Sequence, residues 1–269
     1  MKKTGIIFVI LLVIALGSIE AGIRARSEKT LHALPGSIVR GMAYYSANTI
    51  ANLPIDSYFL YEKIIDGKNK SHPPFDTAAY APNPFVRLLD KNVYIPSLAF
   101  SAPENNAYKI NPEYEQYLTD PWDSVLLKAL YCDISGYDYK DFATLESLYQ
   151  GDGGYFDTHL IIGLALLERN SCYQKEEIDA ALSRAAKSVI QAENSDNVFS
   201  DLYAERIVVL YWAGFGEYVR SNWIERVEDS SSDPGWGAGA PGETVNPHTT
   251  GLALLSLIYY KANVSFEPI

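Results

Sequence analysis

The same five residues, Gly-Leu-Ala-Leu-Leu, occur at 163–167 and again at 251–255. A glycine–aromatic turn and a histidine precede each copy. The first runs Asp152-Gly153-Gly154-Tyr155, then Thr158-His159; the second runs Gly235-Trp236-Gly237, then His248-Thr249-Thr250. Two weaker copies keep the rhythm: Asp120-Pro121-Trp122-Asp123 leading into Val125–Leu130, and Asp201-Leu202-Tyr203 leading into Ile207–Trp212. Trp122, His159, Tyr203 and His248 therefore stand about 37–45 residues apart. That period belongs to stacked helical pairs, none of which can bury its apolar face alone. Phe75-Asp76 lies one period further upstream and marks an earlier, degraded unit.

The stretches 66–84 and 96–112 are rich in proline, which helix interiors exclude, and read as connections. Helical spacing of apolar residues is found over 54–65, 121–132, 158–169, 175–193, 198–214, 217–228 and 247–261. Segments apolar nearly all round alternate with amphipathic ones. Two concentric layers produce that pattern, inner helices being buried on most sides and outer helices keeping one wet face. No run alternates as a strand would. The expectation is an all-α fold over residues 41–269, an incomplete α/α toroid of four to five helical hairpins. An open α-solenoid of the same period is the alternative. The two differ in whether segment 247–261 lies against segment 54–65.

At the N-terminus, Lys2 and Lys3 precede an apolar run from Gly5 to Ile19. This is the layout of a signal peptide or an uncleaved signal anchor over residues 1–22, with a tether over 23–40. Either places the domain outside the cytoplasm: periplasmic, extracellular or membrane-anchored and facing outward. In such a compartment Cys132 and Cys172 can form a disulfide. A net charge of −11 excludes nucleic acid as a partner and argues against docking on anionic headgroups, so the N-terminal segment is the only expected membrane contact.

The blocks DGGYFDTH (152–159) and GWGAGAPGETVNPHTTGLALL (235–255) resemble the α/α-toroid superfamily of terpenoid cyclases, squalene cyclases among them, and protein prenyltransferase β-subunits. The resemblance covers about half of the exported chain and implies a shape more than an activity. Class II cyclases protonate their substrate with a DxDD motif. Asp138-Tyr139-Lys140-Asp141 lacks its adjacent acid pair. Prenyltransferase subunits hold zinc with an Asp-x-Cys pair and a distant histidine. Here Asp157-Thr158-His159 has His where that Cys would sit, with His248 as the distant ligand.

In a toroid the inner helices start at one end of the barrel, so their first turns face one funnel. Asp123, Asp157, His159, Asp201, Glu205 and His248 are the catalytic candidates, and Trp122, Tyr155, Tyr203 and Trp236 are the aromatic surfaces for a ligand. Asp157, His159 and His248 would suit zinc with an open position, although aligning the two GLALL blocks leaves the histidines one position, about 100°, out of step. The carboxylates would serve acid–base chemistry on a glycan. Against both stands plain helix capping, which Asp120, Asp157, Asp201 and Asn246 are placed to perform. The long stretch 229–245 is expected to form a rim or lid anchored by Trp236. Two classes of function remain. One is a tethered or exported domain that binds a ligand or partner in its funnel. The other is an exported enzyme, a glycan hydrolase or lyase or an isoprenoid-type transferase or cyclase, working through the funnel carboxylates and histidines.

Overall fold

The structure is a computed structural model that describes residues 36–45, 54–66, 80, 82–95, 97–104, 107–232, 235–239 and 244–264. The expected signal or anchor, residues 1–22, lies outside them. Among the described residues the fold is all-α: there are isolated β-bridges but no strand, and no helix is long and apolar enough to cross a membrane.

Residues 36–45 are helical and are called α1. There follow α2 (Ile55–Asp66), a 3-10 turn (Pro84–Leu88), α3 (Pro112–Glu115), α4 (Asp123–Leu130), α5 (Cys132–Ser135) and α6 (Tyr139–Glu146). Next come α7 (Tyr155–Asn170), α8 (Lys175–Ser195), α9 (Asp201–Trp212), α10 (Ser221–Asp229) and α11 (Pro247–Val264). The tether expected over 23–40 is thus helix from residue 36, and Ser37 and Ile38 are already buried. Ser37 donates to Glu228 on α10, and the Tyr45 hydroxyl donates to the Pro247 carbonyl at the start of α11.

Helices α4, α7, α9, α11 and α2 pack side by side in that order, and the 3-10 turn touches both α4 and α2. Behind them lie α6 against α4 and α7, α8 against α7 and α9, and α10 against α11. The repeated GLALL explains two of these contacts. A methyl at Gly163 would come within 2.5 Å of Leu145 on α6, and one at Gly251 within 2.6 Å of the Tyr45 hydroxyl and 2.9 Å of Leu60 on α2. Only a residue without a side chain lets the helices approach this closely. Helix α11 therefore lies against α2.

Helix α6 went unread in the sequence. The Asp138-Tyr139-Lys140-Asp141 stretch is a capping box: the Asp138 carboxylate accepts from the Lys140 and Asp141 amides, and Asp141 accepts from the Asp138 amide. Cys132 and Cys172 form a disulfide between the start of α5 and the end of α7, with Cα atoms 6.0 Å apart.

Candidate functional site

A cavity of about 1080 Å³ is lined by α2, α4, α7, α9 and α11 together with the 3-10 turn and residues 116–122. Its lining is ordered along the helices. Helix α9 contributes Asp201, Glu205, Val208 and Val209, then Trp212. Helix α7 contributes Tyr155 and His159, then Ile162, Ala165 and Leu166, then Arg169. Helix α2 gives Asp56, then Phe59 and Leu60, then Lys63, while α4 gives Asp123 then Leu126, and α11 gives His248 then Leu252. Each series steps by three or four residues, one face of a helix. The first turns form a polar mouth and the middle turns an apolar shaft. The far end carries two cations. From Asp201 to Trp212 this spans roughly 16 Å at 1.5 Å per residue.

At the mouth, α9 lies between two flanking helices that treat it alike. From α11, Thr249 donates to Asp201 Oδ1 at 2.6 Å and His248 Nδ1 donates to the same oxygen at 3.0 Å. From α7, Thr158 donates to Glu205 Oε1, and His159 Nδ1 stands 3.4 Å from that oxygen. Each neighbour thus offers one Thr–His pair to one acid of α9. Helices α7 and α11 both contact α9.

The electrostatics separate the two acids. Burial pushes Asp201 upward, but the hydrogen bond and charge of His248, with the Thr249 and Tyr155 hydroxyls, outweigh it and hold the carboxyl below its usual range. Burial pushes Glu205 up, and there it prevails over His159 and the Thr158 hydroxyl. Burial pulls His248 down; the Asp201 hydrogen bond and charge, with Asp56 and Glu205, overcome this and push it up to about 9. His248 is therefore an imidazolium at neutral pH, with its Nε2 3.9 Å from Asp56. His159 Nδ1 lies 2.7 Å from the Tyr155 carbonyl, which can only accept, so that nitrogen carries the hydrogen and Nε2 is left open. The ring of Trp122 lies over His159, centroids 4.4 Å apart, and is stacked with Tyr155 at 6.1 Å.

Of the ten residues expected at the site, seven line the cavity: Trp122, Asp123, Tyr155, His159, Asp201, Glu205 and His248. Asp123 also ties its own helix start, its Oδ2 accepting from the Thr119 and Asp120 amides at 2.6 and 2.9 Å. Three do not line it. Asp157 is fully buried behind the mouth, and its carboxylate accepts from the Gln150, Gly151 and Gly153 amides and the Ser188 hydroxyl. It holds the Gly153 turn on α8. The Asp157–His159–His248 zinc set is therefore not assembled, and among the described residues no group of three or more His, Cys, Asp and Glu is placed to hold a metal ion. Tyr203 is fully buried, bonded to Arg226 and the Trp223 carbonyl. Trp236 is fully buried too, its indole donating to the Val227 carbonyl at 2.6 Å. It anchors the 229–245 stretch, whose Ala238 carbonyl accepts the Asp201 amide beside the mouth. Residues 233–234 and 240–243 of the expected lid lie outside the described residues.

Capping explains less than its positions promise. Asn246 does cap α11, accepting from the His248 and Thr249 amides, but α9 is capped by Ser200 and α7 starts on Gly154. Asp201 is left for the cavity. The sequence reading missed Asp56, Thr158 and Thr249. Asp56 follows Pro54 at a helix start and so carried the same first-turn signal. The two threonines adjoin the histidines in both copies of the repeat.

No protein-family model, curated protein or solved structure matches this chain.

Proposed function

We propose that this protein is an α/α toroid that binds, in its central cavity, an amphiphile with an uncharged, hydroxyl-rich head and an apolar tail. The order in which α4, α7, α9, α11 and α2 pack supports the toroid, as does the likeness of the two Gly-aromatic/His/GLALL blocks to the terpenoid cyclase and prenyltransferase superfamily. The observation that carries the ligand class is the layering of the lining: titratable and aromatic groups at the mouth, then Phe59, Leu60, Ile162, Leu166, Val209 and Leu252 in the shaft. Pockets take their affinity from apolar walls and their orientation from a few polar groups.

The head is uncharged because the mouth is already dense in carboxylates. Asp56, Asp120, Asp123 and Asp201 would repel a phosphate, while carboxylates and imidazoles together accept from and donate to hydroxyls. Tyr155, 38% exposed, offers a ring on which a sugar face can stack. The export signal expected in residues 1–22 would bring the domain to lipids and glycans outside the cytoplasm.

Tryptophan fluorescence tests the reading, because Trp122 lines the mouth and Trp212 the far end, whereas Trp223 and Trp236 are fully buried. Octyl β-glucoside below its micelle concentration is expected to shift the emission saturably. Glucose alone, without a tail, is expected to bind at least ~10-fold more weakly, as lost apolar contact of more than 1.4 kcal/mol requires. Ala165→Trp, which fills the shaft, is expected to abolish the shift. An octyl glucoside titration with no saturable change would overturn the reading.

A further inference from the structure

We infer that Glu205 is the proton donor of a hydrolase that cleaves the acetal bond joining such a head to its tail. The inference rests on the amphiphile-binding reading above and adds a reaction to it.

The position of Glu205 is the first ground. It sits one helical turn below Asp201 and one turn above Val208 and Val209, so it lies where the polar mouth gives way to the apolar shaft. An amphiphile seated by its two ends brings the bond between them to this level. The second ground is the state of its two oxygens. Glu205 is 5% exposed, and both of its contacts, to the Thr158 hydroxyl and His159 Nδ1, fall on Oε1. Among the described residues no hydrogen bond falls on Oε2, which leaves it as the oxygen available to the cavity that Glu205 lines. A carboxyl fixed at one oxygen and open at the other is placed to give a proton to a ligand. Burial shifts Glu205 toward its neutral form, while its hydrogen bonds and the charge of His248 hold Asp201 beside it toward the ionised form. Two carboxyls driven apart in this way mark an acid and a charge stabiliser.

The step balances without a cofactor. Glu205 Oε2 protonates the exocyclic oxygen as its bond to the sugar carbon breaks, and the tail leaves as an alcohol. The positive charge that develops on the sugar carbon and ring oxygen is met by the ionised Asp201, whose Cβ lies roughly 5–6 Å from that of Glu205. Water then bonds to the sugar carbon, and its proton returns to the Glu205 carboxylate. Thr158 acts as the positioning residue by holding Oε1, with the His159 ring beside it. The titratable groups facing Glu205 are Tyr155 and His159 on α7, Asp201 on its own helix and His248 on α11.

The full-length chain, with its disulfide intact, is assayed on octyl and 4-nitrophenyl glycosides of glucose, galactose, mannose, xylose and N-acetylglucosamine in both anomers. Release of octanol or nitrophenol is expected from at least one. Glu205→Gln is expected to lower kcat/KM by about 10²–10⁴ while octyl glucoside binding changes less than about threefold. The wild-type kcat/KM is expected to fall as pH rises through the Glu205 titration, which decides the matter even if the variant does not fold. Saturable octyl glucoside binding with no cleavage anywhere in the panel overturns the inference and leaves the binding reading standing. Absence of both overturns both. Cleavage that survives Glu205→Gln, or that is flat with rising pH, removes Glu205 as the acid.

Discussion

His248 reaches from the first turn of α11 to the first turn of α9 and donates its Nδ1 hydrogen to Asp201 across 3.0 Å. The imidazole is held above its ordinary 6.5, so its contribution to stability is complete below that pH and is lost as pH rises through about 9. Allowing for the 30% of the side chain that remains exposed, that loss is on the order of 1–2 kcal/mol. Asp201→Asn is expected to remove most of this pH dependence, and to bring the His248 titration, followed by NMR, back toward its ordinary value. A His248 that still titrates near 9 in that variant would contradict the pairing.

Glu193 is fully buried on α8, with neither carboxyl oxygen hydrogen-bonded and the nearest cation, Arg206 Nη1, 3.6 Å away. Burial pushes it up to about 8, against the pull of the Arg206 charge. A carboxyl raised above its ordinary 4.5 stabilises fully below that pH, and the contribution disappears as pH climbs through 8. Glu193→Gln keeps the shape without the charge. It is expected to raise Tm above pH ~9 by about 2–4 °C, corresponding to about 1 kcal/mol or more, and to change it little below pH ~6. Thermal melts across that range settle the point; a lower Tm at alkaline pH would mean that the ionised form is the one the site holds.

Gly251 joins α11 to both α1 and α2, and a methyl there would meet the Tyr45 hydroxyl at 2.6 Å and Leu60 Cβ at 2.9 Å. Gly251→Ala is expected to cost about 1–3 kcal/mol through overpacking. Ala253→Gly, two residues on in the same helix, removes a methyl instead of adding one, costing about 1 kcal/mol by helix propensity and somewhat more because Ala253 is buried. Urea midpoints compare the two. A Gly251→Ala protein as stable as wild type would show that α11 is not held tightly against α2.

Helix positions were readable in the sequence wherever apolar periodicity ran for several turns, as in α7, α8, α9 and α11. Helix α6 was hidden because its eight residues carry only Phe142, Thr144 and Leu145 inward, too few to set a period. Seven of the ten candidates line the cavity, and all were picked by a single rule, that helix starts in the repeat meet. The three misplaced ones share a cause. Asp157, Tyr203 and Trp236 sit in the right part of the repeat but on the side of the helix or turn facing the outer layer, and a one-residue difference in azimuth is invisible without the neighbours. Asp157 and His159 are only two residues apart, yet one fastens α8 and the other lines the cavity.

The acids of α9 obtain their partners from either side in the chain: Thr158 and His159 come some 47 residues earlier and His248 and Thr249 some 47 later. The Glu205 half of the mouth needs only α7 and α9. The Asp201 half has to wait for α11, which also brings the first helices into contact with the last. A nascent chain halted between α9 and α11 would carry one acid already seated and the other exposed to solvent. Completion of this mouth thus hangs on the arrival of a single helix.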